Sequence, residues 1–183
     1  MPNFTYCIAC NAGSEAVLKR ELSGRLPEAT ILYPVFDREE HKDGKWTVKT
    51  HPLIPGYLFL YSDTVLAPDL ICRSKRVNKV LGYSDTGDAQ QHDKSYSLLG
   101  EDLDFANWVY KHDGHIKLSR AMLVGDKTTI IDGPLLDYEG EIIKINRQRR
   151  SALVRIAIGE TRKDVWLSFK WMELKDGELT EWA

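Results

Sequence analysis

The sequence predicts an N-terminal α+β domain of sheet and helices, followed by a small all-β domain. In the N-terminal part, strand-like segments alternate with three helix-like segments, in an order typical of a sheet packed against helices. Between Gly125 and Ile158, short alternating segments are separated by turns, a pattern typical of a small antiparallel sheet. We therefore expect domains at 1–112 and 119–175, joined by a linker at 113–118 and followed by a tail at 176–183.

Composition narrows the function classes. The chain has 183 residues, 43% hydrophobic residues and a net charge of −2, so it is globular and has no whole-chain attraction to nucleic acid. No apolar run approaches the ~20 residues of a membrane helix, and the N-terminus lacks the features of a signal peptide. Three cysteines do not suggest a disulfide framework. We expect a cytoplasmic monomer.

The first half of the N-terminal domain contains the clearest local signals. Phe4–Cys10 is strand-like, and Val17, Leu18, Leu22 and Leu26 form an apolar stripe on a helix that ends before Pro27. Strands are predicted at Thr30–Phe36 and Trp46–Thr50. The charged segment between them is closed by Asp43 and Gly44, a strong hairpin signal.

The second half of this domain begins with Tyr57–Tyr61, an aromatic-rich run suited to a central strand. A helix is predicted from Pro68, with Leu70 and Ile71 pointing inward. A strand at 77–83 and a loop at 84–94 precede a third helix, Leu98–Lys111. Leu99, Leu103, Ala106 and Tyr110 are expected along one side of that helix.

In the C-terminal domain, Thr128–Ile131, Glu141–Ile145 and Leu153–Ile158 are the expected strands. Asp132–Pro134 ends the first of these strands and separates it from the second. The turn Asn146–Arg150 separates the second from the third.

Several segments resemble one family. Gly125–Lys127, Ile130–Leu135 and Tyr138–Ile142 resemble a KOW motif. Pro52–Leu60 and Arg76–Tyr83 are similar to the signature segments of an NGN domain. In this order they resemble the NusG-type transcription elongation factors. The resemblance implies an NGN domain with an antiparallel sheet flanked by helices, and a KOW domain with an SH3-like barrel.

The resemblance also implies a hydrophobic dock on the NGN domain for the clamp helices of the largest subunit of RNA polymerase. A helix-in-groove contact needs an exposed apolar concavity with aromatic anchors. The candidate residues are Tyr6, Ile54, Tyr57 and Phe59. The alternative is that these residues form the domain core.

A cluster of cations follows the second helix. Its members, Arg73, Lys75, Arg76 and Lys79, are candidates for contact with non-template or upstream DNA, because phosphate contact needs cations on one face. The alternative is that they are cations favoured by a helix C-terminus.

The densest basic segment is the turn of the KOW-like domain. It resembles the corresponding turn of LoaP, a specialised NusG paralogue that binds an RNA hairpin and suppresses termination. Arginine suits RNA because its planar fork grips phosphates and stacks on unpaired bases. The candidate RNA-binding residues are Lys144, Arg147, Gln148, Arg149 and Arg150. The alternative is a solvated hairpin turn.

Ile158 stands where general NusG proteins carry a phenylalanine that contacts a ribosomal protein or termination factor Rho. This departure favours a dedicated paralogue over a general Rho-coupling factor. Ile158 could still form a smaller KOW partner surface, and the alternative is a residue of the barrel core.

No metal, cofactor or catalytic residue is expected. Cys7 and Cys10 are three apart on a strand, so they point to opposite faces and cannot easily share a metal. His112 and His115 have no partner cluster in the sequence, and no nucleophile, phosphate loop or carboxylate pair stands in a motif context.

The sequence therefore favours a NusG-type elongation factor that binds RNA polymerase and acts as a processive antiterminator on nascent RNA. Two alternatives remain open. One is a general NusG that couples polymerase to Rho or the ribosome. The other is a KOW-containing module associated with RNA or the ribosome.

Overall fold

The computed structural model describes residues 2–82, 96–159 and 161–182 of a mixed α+β protein. The predicted loop at 84–94 and the end of the predicted strand at Tyr83 lie outside these residues. By contacts the chain divides into two units. The first comprises Met1–Pro34 and Ile54–Gly114, and the second comprises Val35–Leu53 and His115–Ala183. No helix within these described ranges has the length and apolarity to cross a membrane.

In chain order, the elements are β1 (Phe4–Cys10), α1 (Glu15–Arg25), β2 (Thr30–Leu32), β3 (Val35–Lys42), β4 (Lys45–Pro52), β5 (Tyr57–Ser62), α2 (Pro68–Cys72), β6 (Val77–Val80), α3 (Gly100–Lys111), β7 (His115–Ile116), β8 (Ser119–Val124), β9 (Lys127–Asp132), a 3-10 segment (Leu136–Glu141), β10 (Ile142–Asn146), β11 (Ser151–Ile158), β12 (Thr161–Lys175) and β13 (Glu178–Glu181).

The first unit is built on a four-stranded antiparallel sheet in the order β2-β5-β1-β6. The predicted interior position of the Tyr57–Tyr61 segment is confirmed, because β5 lies between β2 and β1. Leu18 and Leu22 of α1 pack fully buried into the core. The prediction that Val17 shares their stripe is wrong. Its side chain is 45% exposed because one helical step from Leu18 turns it away from that face.

The predicted apolar side of α3 is only partly its buried side. Leu99 precedes the helix and is 57% exposed, while Leu103 and Tyr110 are only half-buried. The buried face instead carries Phe105, Ala106 and Val109. Contacts with β5 explain this rotation. The Tyr61 hydroxyl donates a hydrogen bond to the Ala106 carbonyl at 2.7 Å, and the Phe59 and Phe105 ring centres are 5.7 Å apart.

The predicted hairpin around Asp43 and Gly44 is confirmed, with longer strands than expected. These two residues have φ of 54° and 76°, the left-handed pair that a tight two-residue hairpin turn requires. The predicted strand Thr30–Phe36 is interrupted before Val35, and β3 takes in most of the charged segment up to Lys42.

The second unit contains two sheets. Its larger sheet follows the path β10-β11-β12-β8-β9, with β13 also paired to β12. β12 is 15 residues long and pairs antiparallel with β11 and β13 and parallel with β8. The smaller sheet has the order β4-β3-β7. The turn predicted at Asn146–Arg150 is confirmed between β10 and β11.

Gly133 fixes the corner after β9. Its φ is +92°, and a Cβ at this position would lie 2.8 Å from the Ser119 Cα. The buried Ser119 hydroxyl accepts a hydrogen bond from the Leu135 N–H at 2.9 Å, which holds the chain against β8. Only glycine fits this close approach without displacing backbone.

Candidate nucleic-acid interface

Within the second unit, the β3–β4 hairpin and the basic turn 147–150 border a cleft of about 640 Å³. Arg38–Lys42 and Trp46 form the hairpin side, and Gln148 and Arg149 form the turn side. Ser151, Trp166 and Ser168 of β11 and β12 complete the lining. Sequence reasoning found the turn but missed the hairpin side, because β3 and β12 are more than a hundred residues apart.

Arg147 is a structural anchor of the turn. Its Nε donates a hydrogen bond to the Thr128 hydroxyl at 3.1 Å, and its Nη2 donates to the Asp126 carbonyl. Its own carbonyl accepts a hydrogen bond from the Trp171 indole at 3.4 Å. These contacts tie the turn to the β8–β9 connection and to β12, so this arginine is already engaged within the protein.

Arg150 is also engaged. It adopts a left-handed φ of 49°, and its guanidinium lies 4.7 Å from the centre of the Trp46 ring. Its carbonyl accepts a hydrogen bond from the Phe169 N–H at 2.8 Å. A cation–π contact of this kind stabilises by about 1 kcal/mol. Arg150 therefore fastens the hairpin to the turn.

Glu39 lies on the cleft lining with an uncompensated oxygen. Its side chain is only 4% exposed, and its Oε2 has no hydrogen-bond partner among the described residues. Arg150 Nη1 is 4.0 Å from Oε2, close enough for attraction but too far for a hydrogen bond. Burial raises the pKa of this carboxyl, and the charges of Arg150 and Lys170 oppose that rise.

Five polar side chains in or near the cleft are free for a ligand. Lys144, Gln148 and Arg149 are exposed and make no side-chain hydrogen bond or ion pair with any described residue. Arg38 and Lys42 of the hairpin share this property. Of the five predicted RNA-binding residues, the structure thus leaves Lys144, Gln148 and Arg149 available, and it adds two cations from β3.

The hairpin supports itself through Glu40. This carboxylate accepts hydrogen bonds from Lys49 at 2.8 Å and from His51 at 3.1 Å. The hydrogen bond from Lys49 is the main cause that lowers the pKa of Glu40. These cross-strand pairs keep Glu40 occupied, although it lines the cleft.

The residues predicted to contact polymerase lie mostly in the core of the first unit. Tyr6, Ile54 and Phe59 are buried, and the Tyr6 hydroxyl accepts a hydrogen bond from the Leu66 N–H at 2.9 Å. This is the core alternative that the sequence left open. Tyr57 is half-buried and reaches the surface, so among the four it is the residue available to a partner.

Glu15, which sequence reasoning missed, holds the turn before Tyr57. Its Oε1 accepts a hydrogen bond from the Gly56 N–H, and its Oε2 accepts one from the Gly13 N–H, both at 2.7 Å. Gly56 has φ of +84°, and a Cβ there would lie 3.0 Å from the Cys10 carbonyl oxygen. The only available signal was the position of Glu15 at the start of a helix next to Gly13.

The predicted DNA-binding cations are all exposed, just beyond α2 and along the edge strand β6. Arg76 Nη1 is 3.3 Å from a Glu21 carboxylate oxygen, which also accepts a hydrogen bond from Ser74. Arg73, Lys75 and Lys79 make no ion pair with a described residue. The cluster therefore presents three unpaired charges and one paired charge.

The other candidates are structural. Ile158 is 6% exposed and lies in β11, and Cys7 and Cys10 are buried. Burial raises the pKa of the Cys7 thiol far above its usual range.

The two histidines singled out in the sequence contact neighbouring side chains. His115 Nε2 is 2.8 Å from an Asp37 carboxylate oxygen, and His112 packs its ring against Trp108. Within the described ranges, no group of three or more potential ligands could hold a metal ion.

Comparison with known proteins identifies a family. A family model for NusG, described as transcription termination factor nusG, matches residues 5–96. The transcription termination/antitermination protein NusG of Treponema pallidum (strain Nichols) is 26% identical over 167 residues, which cover 84% of this chain and 88% of that protein.

Proposed function

This chain belongs to the NusG family of transcription factors, and on that premise we propose that it is a processive antiterminator that recognises nascent RNA through its C-terminal part. The family's members are non-enzymatic and bind RNA polymerase. The finer assignment to a LoaP-like paralogue is supported by the basic turn. The side chains of Gln148 and Arg149 in this turn, and of Lys144 in β10, make no hydrogen bond or ion pair with a described residue.

The proposed division of labour follows the two parts of the chain. Residues 1–112 would form the NGN domain that binds the clamp helices of polymerase, with Tyr57 as the accessible aromatic residue. Residues 119–175 would form the KOW barrel, after a linker at 113–118 and before a tail at 176–183. Arg73, Lys75 and Lys79 would contact non-template or upstream DNA.

The mechanism is a shift in populations. A factor that binds the closed polymerase clamp more tightly than the open clamp biases the enzyme against pausing, by the difference in the two affinities. RNA held by the tethered C-terminal part raises the local concentration of the factor at the polymerase. Lys144 and Arg149 would neutralise phosphates, and Gln148 would contact a base edge.

The competing function is a general NusG that couples polymerase to Rho or the ribosome. The name of the Treponema relative covers both termination and antitermination. Ile158, the residue at the expected partner surface, is buried in β11, which favours the dedicated factor.

RNA binding by the turn is tested with a library of RNA hairpins of random loop sequence, in a gel shift against duplex DNA of equal length. We expect the full-length protein to prefer the hairpins. The double variant Lys144→Glu/Arg149→Glu should bind them at least about tenfold more weakly. The slope of the logarithm of the binding constant against the logarithm of the salt concentration should fall by about 0.7 for each lost phosphate contact.

The matched control is Lys163→Glu/Lys175→Glu, which makes the same charge change in the same unit away from the cleft. It should bind hairpins within about twofold of wild type. Equal losses in the two double variants would show that net charge alone attracts RNA, which contradicts recognition by the turn.

A further inference from the structure

We propose that the cleft between the β3–β4 hairpin and the turn 147–150 holds one unpaired guanine base of the bound RNA. This inference rests on the proposed RNA binding and names a base that the site would select. Three features of the cleft carry it: its size with an aromatic wall, a buried acceptor without a donor, and cations at its rim.

The size and the aromatic wall fit one nucleotide. A volume of about 640 Å³ lies within the roughly 300–1,000 Å³ of small-molecule sites. Trp166 on β12 lines the cleft half-buried, and its side chain makes no hydrogen bond to a described residue. Trp46 also lines the cleft, with Arg150 stacked 4.7 Å from its ring centre. Unpaired bases bind proteins by stacking on such indole rings.

The acceptor is Glu39. Its buried Oε2 lacks a hydrogen-bond donor among the described residues, although buried polar groups are almost always paired. Its backbone N–H is satisfied by the Ser168 hydroxyl at 3.2 Å, so the unsatisfied group of this residue is the carboxylate. A ligand that brings N–H donors into the cleft would complete this site.

Guanine is the base that matches a carboxylate. Its Watson–Crick edge places two donors side by side, N1–H and the N2 amino group, and a carboxylate accepts from both. Adenine and cytosine place a ring acceptor beside their amino group, and uracil has a single N–H between two carbonyls. Each of these would bring a lone pair against the Glu39 carboxylate.

The rim supplies the charge for a phosphate. Arg38, Lys42 and Arg149 line the cleft and make no ion pair with a described residue. The Gln148 amide beside them carries two N–H donors, which suit the O6 and N7 acceptors of guanine. The cleft thus pairs a buried acceptor with peripheral cations, an arrangement that matches a base inserted from a charged backbone.

The test uses nine-residue oligouridine strands in which the central base is guanine, adenine or hypoxanthine, the guanine analogue without the N2 amino group. Fluorescence anisotropy with the full-length protein should give at least about tenfold tighter binding for the guanine strand than for the other two. Glu39→Gln should bring the guanine strand to the affinity of the adenine strand. Trp166→Leu should weaken binding of all three.

The outcomes separate this inference from the proposed function. Strands that bind without base preference, or a preference that survives in Glu39→Gln, overturn the guanine site. If those strands still lose affinity in Lys144→Glu/Arg149→Glu, RNA binding by the turn stands. Failure of every strand and hairpin to bind wild type overturns both proposals.

Discussion

At the residue scale, the buried carboxyl group of Glu39 lowers the stability of the fold. The buried Oε2 of this carboxylate has no hydrogen-bond donor among the described residues, which costs free energy that a cation 4.0 Å away offsets only in part. Because burial raises its pKa, the folded state binds this proton more tightly than the unfolded chain does. Folding stability associated with Glu39 is therefore highest at acid pH and is lost as the pH rises through the raised pKa.

We predict that Glu39→Gln increases the free energy of unfolding of the second unit at pH 8, because it removes the cost of ionising a buried carboxyl. The gain should shrink as the pH falls, because wild-type Glu39 then takes up its proton. Urea unfolding followed by tryptophan fluorescence measures this free energy of unfolding. The Trp108→Phe background limits the signal to the second unit, because the other four tryptophans lie there.

Glu40→Gln is the matched control for that series. The pKa of Glu40 is lowered, chiefly by its hydrogen bond from Lys49, so its contribution is present above its usual pKa and lost on acidification. Its replacement should therefore reduce stability at pH 8, the opposite sign. A Glu39→Gln variant that is less stable than wild type at pH 8 would contradict the account of Glu39.

At the element scale, two glycine turns of the second unit differ in how closely the backbone of another strand approaches them. Gly133 and Gly125 both have positive φ, but only Gly133 has backbone atoms of another strand where a Cβ would lie. The two glycines therefore separate the cost of a left-handed conformation from the cost of a clash.

We predict that Gly125→Ala lowers the free energy of unfolding by about 1 kcal/mol, the usual cost of a left-handed non-glycine residue. Gly133→Ala should cost about 3 kcal/mol or more, because Ser119 must also shift. The same fluorescence assay measures both, and equal losses in the two variants would rule out the close approach to Ser119.

The sequence predicted elements that depend on local patterns. α1 follows from the spacing of Leu18 and Leu22, and the hairpin follows from Asp43 and Gly44. Features that depend on distant pairing were missed, as with the parallel pairing of β12 with β8. Only the turn side of the cleft was predicted, for the same reason: the hydrogen bond from the Glu39 N–H to the Ser168 hydroxyl joins residues 129 positions apart in sequence.

At the scale of the whole molecule, the hairpin changes how the protein should be tested. Val35–Leu53 groups by contacts with His115–Ala183, although it interrupts the chain of the first unit. Deleting residues 117–183 would remove Arg150, which stacks on Trp46, and Ser168, which bonds the Glu39 N–H. Loss of function on such a truncation would not separate binding from unfolding, so full-length variants are the proper test.

The most direct measurement is transcription by purified bacterial RNA polymerase from a template pool with randomised leader hairpins upstream of a terminator. Sequencing of the readthrough transcripts reports both polymerase action and RNA recognition. Our account predicts that wild type raises readthrough and enriches particular hairpins, and that Lys144→Glu/Arg149→Glu abolishes the enrichment. Readthrough that is unchanged, lowered, or raised equally for all leaders would contradict it.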